Sequence, residues 1–472
     1  MKGELVILED LHKYAQKKKR KRAMTQTQII ALGFFVMITI GTLLLMLPIS
    51  SKDGTWTSLT DALFTATSAS CVTGLVVFDT YSHWTLFGQI VLILLIQIGG
   101  LGFMTIATLF SLLLRRKIGL KERELMQESV STLHIGGVVK LTKKILLGTL
   151  IFEGTGAVFL AFRFIPMFGF FEGLYNAIFH SISAFCNAGF DLMGQLEQYS
   201  SFCQFSKDPL VNLVLMSLII IGGIGYLIWD DISIYRLNVR KYCLHTKIVL
   251  SVTAILIFGG AFLFYIFENN RLFANMGFGE KILASLFSAV TPRTAGFNTV
   301  DTGLLSESSK ILTMLLMFIG GSPGSTAGGI KTTTLLVLLA FAVTEMKHEN
   351  GCNIFGRRLE EEAIRRANAI VMINFSFVFI TVLVLCHLEN FNVSDAAFEA
   401  FSAMGTAGMT TGVTRDLSKI SRVLISFLTL GKLMISFLMY CGRVGSLSFA
   451  LAFTTRKPVP PVQQPQERIT VG

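Results

Sequence analysis

Four times along this chain a short amphipathic stretch runs into a small-residue turn that ends on one glycine. The four turns read Cys71-Val72-Thr73-Gly74, Cys186-Asn187-Ala188-Gly189, Arg293-Thr294-Ala295-Gly296 and Gly405-Thr406-Ala407-Gly408. Their glycines lie 115, 107 and 112 residues apart, and each turn sits between two hydrophobic runs long enough to cross a bilayer. A quarter repeated four times at near-equal spacing can close a ring. That constrains the fold more than any other feature of the sequence.

The spans follow from composition. Over half of the 472 residues (52%) are hydrophobic and only 15% are charged, far from the soluble average. Uncharged stretches of about 20 residues, the length that crosses a bilayer, recur at roughly 27–48, 86–114, 145–162, 209–229, 248–267, 311–343, 367–388 and 421–454. Backbone exposed to lipid must satisfy its own hydrogen bonds, so these spans are expected to be helices. The expected fold is an all-α integral membrane protein: eight transmembrane helices in four helix–pore-loop–helix repeats with pseudo-fourfold symmetry. The half-helices before the turns, near 59–71, 172–185, 280–290 and 395–404, reach only about halfway across the hydrocarbon. Re-entrant segments survive at that depth only around a protein-lined or water-filled cavity. The chain then divides into a basic leader (1–24), pore repeats at 25–118, 140–235 and 246–344, a mixed-charge linker (345–366), a fourth repeat (367–454) and a Pro/Gln-rich tail (455–472).

The net charge of +11 raises the possibility of nucleic acid, but its placement argues for topology instead. Lys17–Arg22 precedes the first span; Arg115, Arg116, Lys117 and Lys121 follow the second; Arg236, Arg240 and Lys241 follow the fourth; Arg357, Arg358, Arg365 and Arg366 precede the seventh. All fall on one side of an eight-span chain. The positive-inside rule then puts both termini in the cytoplasm of a multi-pass plasma-membrane protein, with the turns opening outward. Seven scattered cysteines show neither C-x-x-C pairing nor metal-ligand spacing, and read as small buried hydrophobes.

A desolvated cation needs oxygen ligands, and successive carbonyls aimed at an axis provide them without fixed charge. Val72, Thr73, Gly74, Asn187, Ala188, Gly189, Thr294, Ala295, Gly296, Thr406, Ala407 and Gly408 are the candidate ion filter, because glycine reaches the required dihedrals at least steric cost. Each half-helix points its partially negative C-terminus at the ion. No Asp or Glu occurs in the turns, which favours a large monovalent cation over Ca²⁺ or Mg²⁺. No catalytic residue and no bound cofactor is expected, the only metal being the ion in the filter.

The sixth span is interrupted by Gly320, Gly321, Ser322, Pro323, Gly324, Ser325, Thr326, Ala327, Gly328, Gly329, Ile330 and Lys331. Such a run cannot hold a straight helix in mid-membrane, so it must line a cavity. It also approximates a nucleophile elbow (G-x-S-x-G) and a phosphate-binding loop, but both motifs need a preceding strand, and Leu312–Phe318 reads as membrane helix. Glu153, Lys331, Lys432 and Arg443 are intramembrane charges and so are expected to face a cavity or a partner, Lys432 through snorkelling or a helix-packing ion pair. Arg293 is expected to point behind the filter into a carboxylate.

The fourfold plan, with His180-Ser-Ile-Ser-Ala-Phe-Cys-Asn-Ala-Gly-Phe190, resembles the Trk/Ktr/HKT superfamily of potassium transporters over about residues 25–454. With a single basic leader before its first repeat, the chain resembles the Ktr-type pore subunit. The resemblance implies potassium uptake across the plasma membrane, with a serine in the first filter position marking sodium-selective members; here that position is Gly74. It implies a flexible gate at 320–331 just under the filter, with Arg443 as a positive charge in the inner pore. It further implies a homodimer on a cytosolic, nucleotide-binding RCK-type (KtrA-like) regulatory ring, with no ATP site on this chain and sodium as a coupling or stimulating ion. Alternatives are a TrkH-like or sodium-permeable member of the superfamily and, from another class, an intramembrane serine protease using Ser322 with His387 or His180.

Overall fold

In this computed structural model the described residues are 24–102, 105, 123–127, 137–236, 238–348, 351–415, 417 and 430–453. The basic leader to residue 23, the Arg115–Lys121 cluster, positions 421–429 of the eighth expected span and the tail from residue 454 lie outside them.

The chain is mostly helical. Besides the single turn Thr80–His83, the α-helices among the described residues are, in order, α1 (Gln26–Met46), α2 (Leu59–Ser70), α3 (Leu86–Leu101), α4 (Val138–Phe168), α5 (Phe170–Cys186), α6 (Pro209–Ile224), α7 (Tyr226–Tyr235), α8 (Leu244–Glu268), α9 (Phe278–Val290), α10 (Glu307–Phe318), α11 (Thr332–Met346), α12 (Glu361–Glu389), α13 (Val393–Gly405), α14 (Leu430–Val444) and α15 (Ser446–Phe453). The strands among the described residues are Asn353–Ile354 and Arg357–Arg358, paired antiparallel.

Local chemistry sets the boundaries. Thr25 and Gln28 form a capping box at the start of α1, while Ser58, Thr85, Asp208 and Ser306 cap α2, α3, α6 and α10 with their side chains. Asp61, Glu172, Glu280 and Asp395 occupy the first turns of α2, α5, α9 and α13. An acidic group there stabilises the positive end of the helix dipole, so the opposite, negative ends run into the four glycine turns.

Helices α1, α4, α8 and α12 are each long and apolar enough to cross a membrane, and α6 with α7 makes a fifth candidate bent by 96°. Their large apolar residues face outward: Phe35, Leu150, Phe162, Ile255, Phe258 and Met372 are all exposed. The short helices are inside. Phe64, Ala66, Ala69, Phe179, Ala184, Phe287, Ala289, Ala400 and Ala403 on α2, α5, α9 and α13 are buried. A soluble protein would invert that arrangement, and lipid explains it. The chain is a multi-pass membrane protein.

One packing rule recurs. Each short helix lies against the long helix before it (α1 with α2, α4 with α5, α8 with α9, α12 with α13). Each also takes a helix from the preceding quarter: α3 on α5, α6 on α9, α10 on α13 and, closing the circle, α14 on α2. Close approach at these contacts requires glycine. A Cβ on Gly99, Gly222 or Gly442 would collide with the carbonyl of Ser70, Phe185 or Met404 in the last turn of a short helix. The expected unbroken span at 209–229 is instead divided at Gly225, whose φ of +100° ends α6 and turns the chain into α7.

Candidate ion filter and intramembrane gate

The four turns share one backbone pattern. Val72, Asn187, Thr294 and Thr406 have φ of 57°, 60°, 83° and 50°, and the glycines two residues on have φ of 92°, 70°, 76° and 78°. The residue between is not left-handed in any of them. Alternating handedness lets consecutive carbonyls face one side, where a uniform strand would alternate them. For a β-branched residue such as Val72 the left-handed region costs about 1–3 kcal/mol, so the surroundings must enforce it.

The turns also touch in cyclic order. A Cβ on Gly74 would stand 2.5 Å from the Ala188 carbonyl oxygen, one on Gly189 2.7 Å from that of Ala295, and one on Gly296 2.8 Å from that of Ala407. Gly408 abuts the Thr73 carbonyl and returns the sequence to its start. Each glycine is therefore required twice, once by φ and once by its neighbour's oxygen. All four turns are buried, and among the described residues the hydroxyls of Thr73 and Thr406 have no hydrogen-bond partner.

Hydroxyls at the ends of the short helices brace the turns. Ser68 Oγ accepts from Gly74 N–H (3.1 Å), and Ser183 Oγ donates to the Phe190 carbonyl (2.7 Å). In the third turn two extra residues separate Ser288 from Gly296, and Thr291 takes over the role, donating to the Phe297 carbonyl at 2.6 Å. The Asn187 amide meets the Thr294 hydroxyl at 3.3 Å, joining the second and third turns.

The loop at 320–331 packs beneath. Ile319 and Ile330 pair at its neck. Ser322 N–H donates to Gly223 (3.0 Å), Thr326 N–H to Gly222 (3.3 Å), and Tyr226 N–H to Gly324 (2.8 Å), so the loop plugs into the break between α6 and α7. Gly328 lies against the Thr406 side chain of the fourth turn. Lys331 Nζ donates to the carbonyls of Ala327 (2.8 Å) and Gly328 (3.3 Å). Arg443, from α14, donates to the Thr326 carbonyl and across to Gly99 (2.5 Å) and Gly100 (2.9 Å) at the end of α3. Among the described residues neither side chain has a carboxylate partner, and backbone carbonyls take their hydrogen bonds instead.

Other expected residues fall as follows. Lys432 forms an ion pair with Asp61 at 2.5 Å, both largely buried. Glu153 accepts from Gln97 Nε2 at 3.2 Å beside Cys186. Arg293 is buried behind the third turn as expected, but its partner is the Thr253 hydroxyl (3.3 Å) and no carboxylate among the described residues pairs with it. Ser322 Oγ meets Thr332 Oγ1 (3.1 Å) and both ring nitrogens of His180 are engaged, by the Asn176 carbonyl and Leu192 N–H, so no Ser–His couple forms there. Sequence reasoning missed Thr291, the α6–α7 bend and the carbonyl partners of Arg443. The signal was present in the recurrence of Gly99-x-x-Gly102, Gly222-x-x-Gly225 and Gly442-x-x-Gly445, in which Arg443 replaces the second glycine of Gly99-Gly100 and Gly222-Gly223.

The sequence matches the family model of TrkH, cation transport protein, over residues 5–463. It is 41% identical over 463 residues to the potassium/sodium uptake protein NtpJ of Enterococcus hirae, covering 97% of this chain and 99% of that one. It is also 41% identical over 432 residues to Ktr system potassium uptake protein B of Bacillus subtilis, covering 91% and 93% of the two. Among solved structures it is similar in fold to the potassium transporter TrkH of Vibrio parahaemolyticus, with a TM-score of 0.69, 18% identity and coverage of 93% and 86%.

Proposed function

Since the chain belongs to the TrkH family of cation transport proteins, we propose that it is the ion-translocating subunit of a Ktr-type potassium uptake system in the plasma membrane. It is a transporter and not an enzyme. The observation that carries the reading is the closed circle of four carboxylate-free turns, each glycine seated on the next turn's carbonyl. Carbonyls of the turns replace the hydration shell of a monovalent cation, and the four short-helix C-termini add negative potential. The finer architecture belongs to this proposal: eight spans, four pore repeats with pseudo-fourfold symmetry, and both termini cytoplasmic.

Transport then proceeds in two stages. A potassium ion sheds water in the ring formed by Val72–Gly74, Asn187–Gly189, Thr294–Gly296 and Thr406–Gly408. Passage beyond it requires loop 320–331 to leave the α6–α7 break, which breaks the bonds from Ser322, Thr326 and Tyr226 and frees Arg443 from Thr326. Coupling to cytosolic parts fits a Ktr-type assembly, with a homodimer on an RCK-type ring that holds the nucleotide. Sodium as a coupling or stimulating ion is supported by the similarity to the potassium/sodium uptake protein of Enterococcus hirae.

The test is potassium-limited growth of a cell lacking its own uptake systems, expressing this chain with its regulatory ring. Growth at low potassium is expected, and its loss or conversion to sodium sensitivity with Gly74→Ser. No rescue by the unaltered chain would refute the reading.

A further inference from the structure

The segment after the second turn, residues 194–203, reaches the post-turn segments of the first and third quarters. Tyr199 N–H donates to Asp79 Oδ2 (3.2 Å) and its hydroxyl to the Val77 carbonyl (3.3 Å), both just past Gly74. Ser201 Oγ accepts from Asn298 N–H (3.2 Å) and Phe202 N–H donates to the Asn298 carbonyl (2.8 Å), just past Gly296. Tyr199 and Ser201 have φ of 61° and 49°, strained values for non-glycine residues that such bonds must hold in place. The fourth quarter joins through a charge: the Arg415 guanidinium, seven residues past Gly408, lies 4.0 Å from the Tyr199 ring centroid. Among the described residues no carboxylate forms an ion pair with Arg415. Its neighbours Thr410 and Thr414 already bond to Glu399, fixing the backbone that carries it.

We propose that Tyr199 is a positioning residue that parks Arg415 by a cation–π contact at the outer mouth, keeping a tethered cation out of the path of the entering ion. The inference rests on the cation-uptake reading and adds to it a determinant of apparent affinity on the outer side. The ring face attracts the guanidinium and holds it to one place. Without the ring the side chain is free to swing, and a mobile positive charge at the mouth competes with potassium much as a dissolved blocking cation does. Asp79 is held by the backbone N–H groups of Tyr199 (3.2 Å) and Ser82 (2.8 Å), bonds that do not involve the ring.

The experiment measures the apparent KM for potassium in cells expressing the full chain, at low ionic strength and with added N-methylglucamine chloride. Tyr199→Leu is expected to raise KM about two- to tenfold, the range for one charge moved near an ion path. Added salt shrinks the rise. Tyr199→Phe, which keeps the ring and drops the hydroxyl, is expected to stay near the unaltered value. Arg415→Gln in the Tyr199→Leu background is expected to abolish the rise, which a purely structural defect would not permit. An unchanged KM in Tyr199→Leu, or an equal rise in the double variant, overturns the proposal. Should Tyr199→Leu not reach the membrane, Tyr199→Met alone and combined with Arg415→Gln decides it: a raised KM in the single variant that the double variant lacks supports the proposal, and equal values for the two overturn it. Failure of the unaltered chain to take up potassium would instead strike the uptake reading itself.

Discussion

Replacing Gly74 by serine perturbs the ring at a point where two costs can be separated. The first is backbone strain: φ of 92° at Gly74 is a conformation that costs a side-chain-bearing residue about 1–2 kcal/mol. That cost falls on stability and lowers the melting temperature of the purified protein by a few degrees. The second is displacement. The new Cβ would stand 2.5 Å from the Ala188 oxygen and 3.2 Å from Gly189 Cα, so the Ala188 carbonyl must withdraw from its place. Losing one well-placed oxygen on a charged group is worth about 1.5–3 kcal/mol, or roughly 10- to 150-fold in affinity. Uptake of radioactive rubidium, competed by potassium and by sodium, reads this directly. The apparent KM for potassium should rise by at least about tenfold and the potassium-to-sodium preference fall with it. Serine at Gly408, the tightest of the four sites, should be at least as damaging, and at Gly296, with its nearest oxygen at 2.8 Å, less so. A Gly74→Ser protein with unaltered KM and ion preference would refute the claim that these carbonyls bind the ion.

Arg443→Ala and Lys331→Ala remove the two basic side chains that donate to carbonyls of the loop and of α3, and either is expected to increase flux or leak in liposome assays; unchanged flux in both sinks the barrier role. Lys432→Met strands the Asp61 carboxylate and should cost about 3 kcal/mol of stability, with partial recovery on adding Asp61→Leu. Thermal unfolding in detergent checks this, and an unchanged melting point in Lys432→Met contradicts it. Asp191, in the outer segment two residues past Gly189, is pushed up to about 7 by burial and next by the Asp79 carboxylate, against bonds from Met193 N–H and the Ser201 hydroxyl. It takes up a proton as the external pH falls through that value, and the mouth then loses negative charge. The KM for potassium should therefore rise on acidification and the dependence should flatten in Asp191→Asn; a variant that keeps the original pH profile excludes Asp191 as its source.

What the sequence discloses here is what sterics force into it. The four turns were legible because φ near +80° and a carbonyl at van der Waals distance both exclude a side chain, and only glycine satisfies both. The short helices were legible for a similar reason, since an amphipathic run too short to span must end in a turn. Their observed bounds, Leu59–Ser70, Phe170–Cys186, Phe278–Val290 and Val393–Gly405, lie within two residues of those expected. Side-chain-to-carbonyl partnerships leave no such mark. Arg443 binds Gly99, Gly100 and Thr326 through backbone oxygen that every residue carries, so its position was legible and its partners were not. Arg293 illustrates the converse error: a buried cation suggested a carboxylate, whereas a hydroxyl on α8 is what the packing offers. Lys432 and Asp61, 371 positions apart, meet only because α14 closes onto α2. Thr291 could stand in for a serine because either hydroxyl can brace the turn, which hid the register of the third quarter.

The most direct test of the filter is diffraction from crystals grown in thallium or rubidium, recorded at the absorption edge of the ion. An anomalous peak is expected on the axis enclosed by Gly74, Gly189, Gly296 and Gly408, within coordination distance of the carbonyls of Thr73, Ala188, Ala295 and Ala407. Ions bound elsewhere in the protein with that ring empty would contradict the central claim.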